Sequence, residues 1–184
     1  RTQAQLAIDA ADVIVLVTDL RTGVVATDRE IAAMLQRSGR PIVLCVNKCD
    51  TVGEPPAEFY EFYNLGLGDP VAVSSVHGHG TGDLLDRGFE YFPPEEEGEE
   101  LEGEEIRVAV IGKPNVGKSS LINYISGEER CIVSDVAGTT RDAIDMSIEN
   151  RFGKFTFIDT AGLRRKSKEE DSIEHYSVLR AQMA

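Results

Sequence analysis

Gly112-Lys113-Pro114-Asn115-Val116-Gly117-Lys118-Ser119 is the stretch that decides the fold. Its spacing, G-x-x-x-x-G-K-S, is that of a P-loop, a backbone cradle for phosphate groups. Each part does a physical job. Gly112 and Gly117 permit backbone angles and a closeness of approach that a side chain blocks. Lys118 can neutralise β- and γ-phosphates, and the Ser119 hydroxyl can ligate Mg²⁺. The run Ile106 to Ile111 ahead of the loop reads as a buried strand, and Ser119 to Ile125 as the helix that follows. The loop therefore sits where a helix N-terminus offers its N–H groups, and the candidate phosphate-binding set runs Gly112, Lys113, Pro114, Asn115, Val116, Gly117, Lys118, Ser119 and Ser120. A glycine-rich turn is the bland alternative. At average residue frequencies the pattern arises by chance with a probability on the order of a percent, and the strand and helix flanks reduce that further.

Composition sets the frame for this motif. A chain of 184 residues, 41% of them apolar, suits one α/β domain or two small ones. No run approaches the roughly 18 apolar residues of a membrane span, and the polar start lacks the pattern of a signal peptide, so the expected compartment is the cytoplasm. Three cysteines cannot close a disulfide framework, and Cys45 and Cys49 lack the further Cys/His pairs of a zinc site, so all three read as reduced thiols. The formal net charge of -13 argues against a basic nucleic-acid face. Eight glutamates between Pro93 and Glu105 account for much of it, and that stretch reads as a solvated disordered linker.

Elements alternate on both sides of the linker. Ahead of it the pattern predicts helix Thr2 to Ala11, strand Val13 to Asp19, helix Thr27 to Ser38 and strand Pro41 to Asn47. A short helix over Ala57 to Asn64, strand Val71 to Ser74 and an amphipathic helix from Gly82 to Tyr91 follow. After it come strand Ile106 to Ile111, the P-loop helix and an irregular stretch to Thr140. Strands near Asp145 to Glu149 and Lys154 to Asp159 and a helix Ser172 to Met183 complete the reading. Continuous Val, Ile and Leu strands between helices imply a parallel, Rossmann-like sheet covered on both faces.

Further motifs sit at strand ends, where open α/β sheets carry ligand groups. Asp159-Thr160-Ala161-Gly162 stands where a P-loop protein needs an acid to hold Mg²⁺ through water, and Gly162 would offer its N–H to a γ-phosphate. Thr140, in the polar loop Gly138-Thr139-Thr140-Arg141-Asp142, could complete the Mg²⁺ shell when that phosphate is present. Its alternative role is a helix-capping threonine. In the first half, Asn47-Lys48-Cys49-Asp50 follows an apolar strand. The Asp50 carboxylate can accept two N–H bonds from guanine N1 and N2, which adenine cannot supply, while the Lys48 stem can lie over the base plane. Ser74-Ser75-Val76 would bring backbone N–H groups near guanine O6. Each of these alone is a loop at a strand end.

Together the P-loop, switch threonine, D-x-x-G, N-K-x-D and S-A-x-like elements resemble the TRAFAC class of GTPases. The stretches Val133 to Asp142, Asp159 to Lys166 and Ile173 to Ala181 resemble the second G domain of the EngA (Der) family, bacterial tandem GTPases of ribosome assembly. The first half resembles the end of that family's first G domain. The resemblance implies residues 1–92 as the C-terminal half of one G domain, 93–105 as a linker, and 106–184 as the N-terminal half of the next. Only one set of motifs exists, split between the halves: base recognition comes first and phosphate chemistry second, the order of circularly permuted GTPases. Two P-loop GTPase partial domains can dock as one composite sheet, or remain two unfinished halves of a fragment.

The resemblance further implies GTP/GDP and Mg²⁺ as ligands. The candidate catalytic groups are Lys118, Thr140 and Gly162, and Mg²⁺ would be held by Ser119, Thr140 and Asp159. Asn115 matches a ligand for K⁺ in potassium-activated relatives. Thr160, Ala161 and Leu163 complete the switch II set, and Asn47, Lys48, Asp50, Ser74 and Ser75 the base set. Hydrolysis would be in-line attack by water with no side-chain base, since Leu163 follows D-x-x-G where Ras-like proteins carry glutamine. The large ribosomal subunit or its rRNA is the implied partner; no membrane and no direct nucleic-acid site are evident. A nucleotide-binding switch with negligible turnover, or an inactive truncated fragment, are the competing functions. His77 and His79 read as a flexible loop rather than a metal site, and Arg164-Arg165-Lys166-Ser167-Lys168 as a mobile segment or an RNA contact.

Overall fold

The computed structural model describes residues 3–91, 105–127, 132–137, 144–150 and 153–158. In it, strands from both sides of the acidic stretch join one seven-stranded sheet. The elements in chain order are α1 (Gln3–Ala10), β1 (Val13–Asp19), α2 (Ala26–Arg37), β2 (Ile42–Asn47), a 3₁₀ helix (Ala57–Leu65), β3 (Val71–Ala72) and α3 (Thr81–Phe89). After the linker come β4 (Glu105–Ile111), α4 (Lys118–Gly127), β5 (Ile132–Ala137), β6 (Ile144–Asn150) and β7 (Gly153–Phe157). The strand order is β3-β2-β1-β4-β7-β6-β5.

The seam between the halves is β1 against β4, parallel, with Val13 opposite Val108 and Leu16 opposite Ile111. Every residue of β1 is buried. An all-apolar strand of this kind needs a neighbour on each edge and a layer on each face, and β4 supplies the edge that β2 leaves open. Asp12 closes the seam at its start. Its N–H donates to the Arg107 carbonyl at 2.8 Å, and its carboxylate accepts from the Arg107 N–H at 2.8 Å.

Alternation along the strands sends side chains into two cores. On one face Val13, Val15, Val17, Val108 and Phe155 pack under α3 and α4 through Leu84, Leu85, Leu121 and Ile125. On the other Ile14, Leu16, Leu44, Ala109 and Ile111 pack under α1, α2 and the 3₁₀ helix through Ile8, Ile31, Leu35 and Phe62. Both cores contain residues of both halves. Phe89 of α3 meets Phe155 of β7 edge-to-face at 4.4 Å, an aromatic contact across the seam.

Three expectations need correction. The stretch read as irregular up to Thr140 contains β5, which pairs antiparallel with β6 from Ile132 opposite Glu149 to Ala137 opposite Ile144. β6 is also antiparallel to β7, so the sheet is parallel from β3 through to β7 and antiparallel at this edge. The short helix before β3 is a 3₁₀ helix reaching Leu65, because its buried residues, Phe59, Phe62 and Leu65, recur every three positions, the period of that helix. Strand β3 stops at Ala72, and Ser74 instead forms an isolated bridge with His79. The expected helix Ser172 to Met183 lies outside the described residues. Among them no helix is long and apolar enough to cross a membrane, and Cys45 and Cys49 are buried free thiols.

Candidate functional site

The C-terminal ends of β1, β2 and β4 lie side by side, so the loops that leave them converge. β2 hands on to Asn47-Lys48-Cys49-Asp50 and β4 to the P-loop. Asn47, 1% exposed, is where they touch. Its Nδ2 donates to the Val116 carbonyl at 2.7 Å and to Ser75 Oγ at 3.0 Å, while its Oδ1 accepts from the Ser75 N–H at 3.0 Å. One amide thereby ties the P-loop, the N-K-x-D strand end and the Ser74-Ser75 turn. Gly117 is required beside it: a Cβ there would run into Asn47 Nδ2, and the residue holds φ +97.

Lys48 makes the second bridge. Its Nζ donates to Asp19 Oδ2 at 2.5 Å and to the Asn115 carbonyl at 2.8 Å. Among the described residues Lys48 (φ 66) and Asn115 (φ 63) are the non-glycine residues in the left-handed region. Such strain is held only where surrounding contacts fix it, and here the two strained residues hold each other.

Lys118 opens α4, and its Nζ donates to the carbonyls of Gly112 and Lys113 at 2.7 Å each, drawing the charge over the mouth of its own loop. Ser119 follows it within the first turn of that helix. A Cβ at Gly112 would strike the Val17 carbonyl of β1, so the loop starts in backbone contact with the first half. Lys113 anchors the loop's outer side. Its Nζ donates to Thr22 Oγ1 at 2.9 Å and lies 3.4 Å from Oδ2 of the fully buried Asp28, whose Oδ1 has no partner.

Asp50 is held from two sides. Oδ1 accepts from Ser74 Oγ at 2.7 Å and Oδ2 from Arg21 Nη2 at 2.6 Å. The Ser74 hydrogen bond first, and the Arg21 contact after it, hold its carboxyl below the usual carboxylate value. Because the folded pKa is depressed, the stability Asp50 contributes is present above its unfolded pKa and is lost as pH falls through the lowered folded value. Ser74→Ala is expected to move the Asp50 titration upward towards the ordinary carboxylate value. Carboxyl carbon NMR against pH reads this, and an unmoved midpoint would refute the assigned cause.

The amides expected near guanine O6 are partly taken up within the protein. The Ser74 N–H donates to the His79 carbonyl and the Ser75 N–H to Asn47 Oδ1, so two of the three are engaged within the protein. Thr140 and the run Asp159, Thr160, Ala161, Gly162 and Leu163 lie outside the described residues, as does the basic cluster 164–168. His77 and His79 stack with ring centroids 5.8 Å apart. Sequence reasoning overlooked Arg21, Asp19 and Asp28; the signal for the first two was the charge alternation Asp19-x-Arg21 at the end of the strand beside Lys48-x-Asp50.

Comparison with known proteins follows the same division. Residues 2–94 match the family model described as the elongation factor Tu GTP binding domain, and residues 107–184 the one described as 50S ribosome-binding GTPase. The chain is 58% identical over 181 residues to GTPase Der of Acetivibrio thermocellus, covering 98% of this chain and 41% of that protein. It is 58% identical over 181 residues to GTPase Der of Ruminiclostridium cellulolyticum, again 98% and 41%. GTPase Der of Clostridium perfringens is 56% identical over 184 residues, 100% of this chain and 42% of that protein. The chain thus spans about two fifths of the length of these curated relatives. Among solved structures, YjeQ from Thermotoga maritima superposes with a TM-score of 0.50 at 21% identity, covering 83% of this chain and 49% of that one, a likeness of fold alone.

Proposed function

Because this chain belongs to the family of the elongation factor Tu GTP binding domain and, within the GTPases, to the EngA/Der kind, we propose that its halves build one guanine-nucleotide site across the β1/β4 seam. The observation that carries this reading is the pair of bridges from Asn47 to Val116 and from Lys48 to Asn115, which bring the base-reading and phosphate-holding loops together. Residues 1–92 then supply the base side and 106–184 the phosphate side, joined by 93–105.

Asp50 takes guanine N1–H and N2–H, with the Lys48 stem along the base. The amides of the P-loop take the phosphates, and Lys118, already over the loop, offsets their charge. The cradle fits such a group: it opens at a helix N-terminus and is narrowed by two glycines whose Cβ positions are filled. Mg²⁺, when bound, would stabilise charge on the phosphates, with Ser119 and, in this proposal, Thr140 and Asp159 as its ligands and Asn115 beside K⁺. GTP hydrolysis would be carried by Lys118, Thr140 and Gly162 at the γ-phosphate, and kinship with the Der relatives points to large-subunit ribosome assembly in the cytoplasm.

The test is titration of the 184-residue chain with fluorescent GDP, with unlabelled GDP and ADP as competitors. GDP should displace the probe, ADP at a hundredfold excess should not, and Asp50→Ala should erase the preference. Equal competition by ADP, or no binding, would sink the reading. Equal GTP turnover in K⁺ and Na⁺ would remove Asn115 from the cation role.

A further inference from the structure

Four charged residues at the ends of β1 and β2 form two crossed ion pairs. Asp19 takes Lys48 at 2.5 Å, and Asp50 takes Arg21 at 2.6 Å. Asp19 also makes another contact. Its Oδ1 accepts the Arg21 N–H at 2.8 Å, which fixes where the Arg21 side chain departs from the backbone. Asp19 is buried and its position set by β1, so this anchor is rigid. From it the Arg21 side chain, 68% exposed, reaches Asp50 Oδ2 while Ser74 holds Oδ1.

A carboxylate has about four lone-pair positions. Ser74 uses one on Oδ1 and Arg21 one on Oδ2, so one on each oxygen remains. Two donors gripping a carboxylate at both ends also fix the rotation of its plane. That matters unequally for different bases. A base that offers two parallel N–H donors, as guanine does through N1 and N2, needs both oxygens in its own plane. A base that offers one donor, as hypoxanthine does through N1 alone, tolerates rotation about the Cβ–Cγ bond.

We propose that Arg21 is a positioning residue for base recognition, which acts through Asp50 by fixing the carboxylate plane and so raises selectivity for purines bearing a 2-amino group. The proposal rests on the guanine-nucleotide reading above. It gives a functional role to a side chain outside the N-K-x-D motif, just past the end of a different strand.

The experiment is competition of GDP and IDP against fluorescent GDP on the parent chain, Arg21→Ala and Arg21→Lys. Arg21→Ala should weaken GDP about fivefold while changing IDP less than about twofold, the scale of one exposed charge-assisted hydrogen bond. Arg21→Lys, which keeps a donor at that place, should recover part of the GDP affinity. An equal fall for both nucleotides would assign Arg21 to the fold and overturn the proposal. Tighter GDP binding in Arg21→Ala would make Arg21 a plug that the base displaces, and would overturn it too, as would unchanged affinities. If the parent binds no GDP, the site reading itself has failed, and this proposal falls with it.

Discussion

Asn47→Ala is expected to lower the stability of the chain by about 3 kcal/mol and to abolish guanine-nucleotide binding in the same variant. The side chain is buried and makes three hydrogen bonds, to the Val116 carbonyl, Ser75 Oγ and the Ser75 N–H. Alanine fills less volume and satisfies none of these groups. A buried carbonyl and a buried N–H are left without partners, each costing roughly 1–3 kcal/mol when nothing replaces the bond. Loss of the ligand follows from a different cause: the bridge to Val116 sets the distance between Asp50 and the phosphate loop. Asn47→Asp tests the bridge to Val116 alone. It keeps the shape but turns the donor that faces Val116 into an acceptor, so it should destabilise at least as much as alanine. Urea unfolding and GDP titration on both variants read the outcome. A stability loss under about 0.5 kcal/mol with GDP affinity intact would show that the halves do not depend on this contact.

Lys118→Ala should weaken GDP binding by about two orders of magnitude, roughly 3 kcal/mol, while leaving the fold largely in place. Its ammonium is already committed to the mouth of the loop through the Gly112 and Lys113 carbonyls, so the charge is preorganised rather than recruited from solvent. Removing it leaves the loop mouth without its ammonium, since Lys113 is turned to Thr22 and Asp28, against a ligand that carries several negative charges. The two freed carbonyls belong to half-buried loop residues, and with water as a replacement partner the stability cost should be about 1 kcal/mol. Calorimetric or fluorescence titration measures the affinity, and a thermal melt the stability. A GDP affinity within about fivefold of the parent would place phosphate binding elsewhere. Asn47→Ala and Lys118→Ala therefore differ in signature, one losing fold and ligand together, the other losing ligand first.

The P-loop and its flanking strand and helix were legible because local signals agree there: glycines at fixed offsets, an apolar run before them and a helix period after. The N-K-x-D tetrapeptide was legible for the same reason. Strand β5 was not. Ile132-Val133-Ser134-Asp135-Val136-Ala137 mixes apolar and polar positions without a clean period of two, and its ladder is supplied entirely by β6. The docking of the halves was readable only as one of two outcomes. Strand β1 announces that it needs two neighbours, yet nothing in its own residues names β4 as the second. The grip of Arg21 on Asp50 was missed because it joins residues 29 apart through strand register, which a motif confined to one loop cannot express.

The β1/β4 seam has a consequence for the time course of folding. Other strand pairs join residues at most 49 apart, but the Asp12 to Arg107 closure joins positions 95 apart. Each side can assemble its local pairs early, whereas bringing the two together must first overcome the closure entropy of the long intervening chain. Seam formation is therefore expected late in folding, and until it forms the edges of β1 and β4 that face each other stay unpaired, an opening for association with other copies. A ligand that touches Asp50 and Lys118 at once straddles that joint. It would act less on how fast the joint closes than on how seldom it reopens.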